Sequence, residues 1–168
     1  KNSIDNLQIG GRNLALNSEF ILDTTTPTTG YHLKTIKITD TIKQGESIVL
    51  SFDIQTIEGF SASYWFNNGA INDLTENFNS NNASGTKRVV RVLTTSADIP
   101  AGTEINIYNF GYDSSEEQRW NNRAKITKLQ IEKGNKATDW TPAPEDKQDR
   151  LQDITGNIGV GKTDASAT

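Results

Sequence analysis

The sequence predicts an all-β domain, an antiparallel sandwich or barrel, on three observations. Short stretches in which apolar and polar residues alternate recur through its middle, the period-two pattern of strands with one buried face. Clusters of Gly, Asn, Pro and Ser separate these stretches and supply turns. No helix-length apolar pattern lies between them, which argues for antiparallel strands that cover one another.

Taken in order, residues 33–39 form the first such run and residues 47–55 the clearest, with Ile48, Leu50, Phe52 and Ile54 directed to the core. Residues 61–67 place Ala62, Tyr64 and Phe66 on one face and Ser63, Trp65 and Asn67 on the other. Residues 67–86 are rich in Asn and poor in apolar side chains, which predicts a long exposed loop or a short ragged hairpin. Strands follow at 87–95, 104–112 and 124–132, with the turn Ile99-Pro100-Ala101-Gly102 between the first two and the polar loop 114–123 before the last. After Asp146 the chain becomes polar and charged. Leu151, Ile154 and Ile158 stand there at spacings that could begin a helix, too few for a coiled coil.

Composition narrows the function. The 168 residues suffice for one sandwich-sized domain plus tails, and a mean hydropathy of -0.60 allows a modest core. The net charge is -4, with Lys and Arg scattered. That argues against a nucleic-acid partner, whose phosphates need a grouped basic face. No apolar run approaches a membrane span and residues 1–10 lack the apolar core of a signal peptide, so no membrane insertion is expected. Cys is absent, which leaves packing alone to stabilise the fold, and Met is absent too, as expected of a piece of a longer protein.

Catalytic motifs are weak. Gly156-Asn157-Ile158-Gly159-Val160-Gly161-Lys162-Thr163 matches the phosphate-loop pattern G-x-x-x-x-G-K-T, yet no buried strand delivers it and only five residues follow. His32 is the single histidine; it cannot anchor a His-based metal cluster, and no G-x-S-x-G elbow accompanies it. It reads as a surface residue. Acidic residues cluster at turns and flanks, as in Glu116-Glu117, where a solvated face explains them better than a glycosidase pair.

The aromatic residues carry more. Alternation sends Trp65 outward among polar neighbours, and the same reasoning sends Asp53 and Gln55 outward from their strand and Asn106 and Tyr108 from theirs. Such a surface suits a sugar, because a ring stacks on the C–H face of a pyranose while amides and carboxylates bond its hydroxyls. A second reading has Trp65 capping another core layer. Trp120 lies in a polar loop with Arg119, Asn121 and Arg123, donors for hydroxyls or acidic sugars.

The two ends of the domain are distinctive. Gly11-Arg12-Asn13-Leu14-Ala15-Leu16-Asn17-Ser18-Glu19-Phe20 reads G-R-N-L-x-x-N-S-x-F, and residues 129–146 read L-Q-I-E-K-G-N-x-A-T-D-W-T-P-A-P-E-D. This pair resembles the jelly-roll carbohydrate-binding modules of tail and baseplate proteins of phages that infect Gram-positive bacteria. The resemblance covers Gly11 to Asp146. It implies that the sandwich is a jelly roll of carbohydrate-binding-module type, that residues 1–10 connect to a preceding part and that residues 147–168 form a polar linker. In a phage protein the glycosylation sequon Asn82-Ala83-Ser84 would be empty. The resemblance also implies that Trp140 pins the chain end to the sandwich. Modules of this kind often carry a structural calcium, and Asn17, Glu19 and Glu132 lie at positions resembling that site, although the usual adjacent acidic pair is here Gln130-Ile131-Glu132-Lys133. No other cofactor is expected.

The expected function is therefore non-catalytic recognition of a host cell-wall saccharide by a virion protein acting at the bacterial surface, alongside other tail or baseplate proteins. The expected ligand-binding residues are Trp65, Trp120, Tyr108, Asn67, Gln55, Asp53 and Arg123. The alternatives are a structural spacer within the tail and an accessory module of a cell-wall glycan hydrolase.

Overall fold

The computed structural model describes residues 11–67, 76–80 and 85–146. Residues 1–10 and 147–168, with Leu151, Ile154, Ile158 and the phosphate-loop match, lie outside the described residues, as does Asn82-Ala83-Ser84. Among the described residues eight strands form, β1 (Phe20–Asp23), β2 (His32–Lys37), β3 (Ser47–Thr56), β4 (Ala62–Asn67), β5 (Glu76–Ser80), β6 (Gly85–Thr94), β7 (Glu104–Asn109) and β8 (Ala124–Lys133), with a short helix, α1 (Glu116–Trp120), before the last.

The pairing is antiparallel throughout: β1 with β8, β2 with β7, β3 with β6 and β4 with β5. β8 also joins β3, and β7 joins β4. The result is two four-stranded sheets, β1-β8-β3-β6 and β2-β7-β4-β5. First strand with last, second with second-last and so inward is the winding of a jelly roll, so the strand order itself establishes the expected fold.

Burial follows the alternation on β4, whereas on β3 Val49 and Ser51 of the outer face are buried too. Ile48, Leu50, Phe52 and Ile54 from β3 face Ala62, Tyr64 and Phe66 from β4, and all are buried. Phe52 and Phe66 stack across the two sheets with ring centroids 5.3 Å apart, and each such ring contributes about 1.5–3 kcal/mol through burial. The Tyr64 hydroxyl is paired inside the core with Thr24 Oγ1 at 2.7 Å.

β1 is absent from the sequence reading, and three further elements depart from it. The Asn-rich stretch contains β5, so the hairpin alternative is the one that forms over 76–80. The strand expected over 104–112 stops at Asn109 because Phe110 adopts a left-handed φ of 68°. The polar loop 114–123 contains α1, held by a reciprocal capping box in which the Ser115 side chain accepts from Gln118 N–H and the Gln118 side chain accepts from Ser115 N–H.

The terminal motifs are a structural latch. Asn13 is fully buried between the two ends. Its Nδ2 donates to Ser18 Oγ, Leu129 O and Thr141 O at 2.9, 3.0 and 2.9 Å, and its Oδ1 accepts from the N–H groups of Ala15 and Ile131. In β8, Lys128 takes a left-handed φ of 54° at an irregularity in the register with β3. That extra residue sends Leu129 and Ile131 inward and turns Gln130 and Glu132 to the outer side. The segment from Gly134 to Thr141 covers them there: Trp140 Nε1 donates to Leu129 O at 3.0 Å, and Thr141 N–H donates to Gln130 Oε1 at 3.0 Å. Trp140 thus pins the chain end.

Candidate functional site

The outer face of the β2-β7-β4 part of the second sheet carries a group of aromatic residues. Trp65 on β4 stands opposite Tyr108 on β7, and His32 on β2 stands opposite Tyr108 from the other side. The Trp65 and Tyr108 ring centroids are 5.4 Å apart, tilted by 38°. Tyr31 stacks on Tyr108 at 4.6 Å, His32 meets Tyr108 edge-on at 5.8 Å, and Tyr112 meets Trp65 edge-on at 6.3 Å. Tyr112 is 75% exposed, while Trp65 and Tyr108 are half-buried. Trp65 does not cap a second core layer. Among the described residues Trp65 Nε1 and the Tyr108 hydroxyl have no hydrogen-bond partner. Polar handles on a wet aromatic surface are suited to a ligand.

The surroundings hold this group rigid. Asn109 and Asn122 are fully buried polar residues at the end of the sheet. Asn122 Nδ2 donates to Asn109 Oδ1 at 2.8 Å and to Ser63 O at 2.7 Å, and its Oδ1 accepts from Ser63 N–H. Asn109 Nδ2 donates to Thr28 O and Gly30 O, fixing the loop that presents Tyr31. Arg119 on α1 donates through Nε to Thr29 O at 2.6 Å and through Nη1 to Ser114 Oγ, tying the Tyr31 loop to the loop after β7. That second loop, residues 110–113, holds two non-glycine residues in left-handed backbone, Phe110 at φ 68° and Asp113 at φ 64°, and Tyr112 projects between them. Such strain costs of order 1–3 kcal/mol per residue and is retained where a loop is held in one shape. Burial in this cluster pushes the Tyr31 hydroxyl above its ordinary 10.0. Tyr108, Tyr112 and Asp113 add to the shift and Arg119 offsets part of it, so Tyr31 stays a neutral phenol at neutral pH.

The residues expected at the site separate into three places. Trp65, Tyr108 and Asn67 share the aromatic face, with Asn67 opposite Asn106. Trp120 and Arg123 lie at the sandwich end where Ser61 bridges Asn122, and Ser61 is about 13 Å along the chain from Trp65 at strand rise. There Trp120 is 46% exposed, and the Arg123 guanidinium sits 4.2 Å from the Phe60 ring and 5.9 Å from the Trp120 ring. Asp53 and Gln55 do not join the face. They belong to β3, in the opposite sheet, where Asp53 pairs with Arg88 at 3.2 Å and lines a cleft of about 480 Å³ with Arg88, Lys128 and Trp140. Alternation gives inward or outward, but the jelly-roll winding puts β3 and β4 in different sheets, so their outward sides face away from each other.

The residues expected to hold calcium do not fit it. Glu132 is fully buried, and its carboxylate accepts from Thr138 Oγ1 at 2.7 Å, Thr138 N–H at 3.2 Å and Gln130 Nε2 at 2.6 Å. Glu19 and Asn17 are exposed, and the Asn17 backbone N–H is taken by Asp146. A hard cation needs several open oxygen ligands converging on one point. Among the described residues no group of three His, Cys, Asp or Glu is placed to hold a metal.

Sequence reasoning missed Tyr31, His32 and Tyr112 as members of the face, and Asn109 and Asn122 as its supports. The run Asn109-Phe110-Gly111-Tyr112, which begins on the last residue of β7, was the available signal.

No known protein family matches the chain, and no curated protein matches it. Among solved structures it is similar to one described as "CBM4 structure and function", with 15% identity and a TM-score of 0.42 over 71% of this chain and 93% of that one.

Proposed function

We propose that this chain is a non-catalytic saccharide-binding module of a phage tail or baseplate protein, and that it holds host cell-wall glycan on the outer face of β2, β7 and β4. The observation that carries the reading is the open aromatic group Trp65, Tyr108 and Tyr112, with polar atoms left unpaired on a surface braced by buried Asn109 and Asn122. Stacking and hydroxyl bonds of this kind give a weak single site, since sugar hydroxyls exchange water for protein partners at little net gain. Many copies on one virion would supply the adhesion by avidity. The tail or baseplate setting is supported by the resemblance of residues 11–20 and 128–146.

The test is binding of the labelled domain, displayed multivalently, to a glycan array and to host cells, beside Trp65→Ala, Tyr108→Ala and Trp120→Ala variants checked for folding by circular dichroism. Loss of Trp65 or Tyr108 is expected to weaken capture by about tenfold or more, equivalent to about 1.4 kcal/mol. An effect of Trp120→Ala alone would move the site to the sandwich end. Capture by no glycan, or capture indifferent to all three changes, would favour the structural spacer.

A further inference from the structure

Beside the aromatic group runs a short hydrogen-bond relay with a fixed direction. Asn106 on β7 stands opposite Thr35 on β2 and opposite Asn67 on β4, and it is the next outward residue along from Tyr108. Thr35 Oγ1 lies 2.7 Å from Asn106 Oδ1 and 2.8 Å from His32 Nε2. A threonine hydroxyl has one proton to give. Given to the Asn106 carbonyl oxygen, it leaves Thr35 able only to accept from the imidazole, so His32 carries its proton on Nε2. The relay therefore runs from His32 to Thr35 to Asn106, and it is satisfied by the neutral Nε2–H tautomer and by the imidazolium alike.

Its consequence falls on the far end. One lone pair of Oδ1 takes the Thr35 proton, and the Nδ2 of Asn106 has no partner among the described residues. Trp65 Nε1, a donor only, likewise has no partner among the described residues on the neighbouring strand. Asn106 Nδ2 and Trp65 Nε1 thus offer two N–H donors on the strands beside the Tyr108 ring. Ligand hydroxyls can meet donors or acceptors equally well, whereas a carbonyl or carboxylate oxygen can only accept and is best matched here.

We infer that Asn106 is a specificity-determining residue, oriented by Thr35 and His32, and that the ligand is a saccharide carrying an sp² oxygen acceptor beside the stacked pyranose, an acetamido carbonyl or a uronate carboxylate. This rests on the saccharide reading of the same face. It names chemistry that aromatic stacking alone leaves open.

The experiment compares glycans with matched backbones on one array: β-1,4-linked N-acetylglucosamine oligomers, β-1,4-linked glucose oligomers and oligouronates, within a panel of bacterial cell-wall glycans. Wild type is set against Trp65→Ala, Asn106→Asp, His32→Gln and His32→Glu, each checked for folding by its thermal melt. Among glycans whose capture requires Trp65, those with an acetamido or carboxylate group are expected to bind about tenfold more tightly than their plain-hydroxyl counterparts. Asn106→Asp, which is isosteric but has no donor, should collapse that preference and spare plain hexoses. His32→Gln retains a donor toward Thr35 and should keep the preference. His32→Glu demands the Thr35 proton, turns the Asn106 amide and should lose it.

Trp65-dependent capture confined to plain hexoses, or a preference untouched by Asn106→Asp, overturns this inference and leaves the saccharide reading standing. If no captured glycan requires Trp65, the saccharide reading itself fails and takes the inference with it. A preference that divides acetamido from uronate ligands identifies which source supplies the oxygen.

Discussion

Asn13 shows how much one side chain can organise. Five hydrogen bonds converge on its buried amide, from or to the first segment, β8 and the chain's closing segment. Removing it would leave Thr141 O and Ile131 N–H short of a partner, and Leu129 O with Trp140 Nε1 alone, in a site that water enters poorly. Asn13→Ala is therefore expected to destabilise the domain by about 3 kcal/mol or more, a fall in melting temperature of roughly 6–12 °C for a domain of this size. Asn13→Asp should be no milder, because it turns an acceptor toward two carbonyl oxygens. The adjacent ion pair between Arg12 and Glu145 is the contrast. Its side chains are 46% and 36% exposed, so Arg12→Ala should cost no more than about 1 kcal/mol. Equal losses in calorimetry from Asn13→Ala and Arg12→Ala would mean that the latch is a surface charge effect.

At the level of elements, the strands were legible where alternation was strict. Ala62, Tyr64 and Phe66 are buried and Ser63, Trp65 and Asn67 turn outward, as period two requires. The misses have local causes. β1 is four residues long, Phe-Ile-Leu-Asp, with two adjacent buried residues and no alternation to detect. β5 pairs through its backbone although its sequence, Glu-Asn-Phe-Asn-Ser, offers one apolar residue. α1 has no buried residue, so it shows no apolar periodicity and is announced only by Ser115-Glu116-Glu117-Gln118, a capping box in a stretch that otherwise reads as loop. What α1 does is hold Arg119 against Thr29 and Ser114, bracing the loops of Tyr31 and Tyr112 from behind. Arg119→Ala should therefore lower the melting temperature by a few degrees at most while weakening glycan capture roughly fivefold, because each loop must then be ordered on binding. Thermal melts and array binding measured on the same preparation check this. Full retention of capture would show that the two loops keep their shape without the arginine.

On the scale of the whole molecule, the winding of the chain decided which sequence signals could meet. Outward residues on β3 and β4 look alike in the sequence, yet the jelly roll sends Asp53 and Gln55 to one side and Trp65 and Asn67 to the other, and no local pattern encodes that long-range pairing. Net charge acts at this scale as well. On the proposed reading the partner is a Gram-positive wall, whose phosphate- and carboxylate-bearing polymers have the same sign as the chain's -4, so long-range attraction would not draw it to that surface. Capture must come from short-range stacking and hydrogen bonds, which salt screens little. Raising ionic strength from about 0.01 M to about 0.15 M shortens the Debye length from about 30 Å to about 8 Å and so weakens a repulsion. Adhesion of the multivalent domain to host cells is expected to hold steady or to rise modestly over that range, as read by flow cytometry with Trp65→Ala subtracted. A steep fall would instead identify capture by the scattered Lys and Arg side chains, and the aromatic face would then be a surface that merely happens to be open.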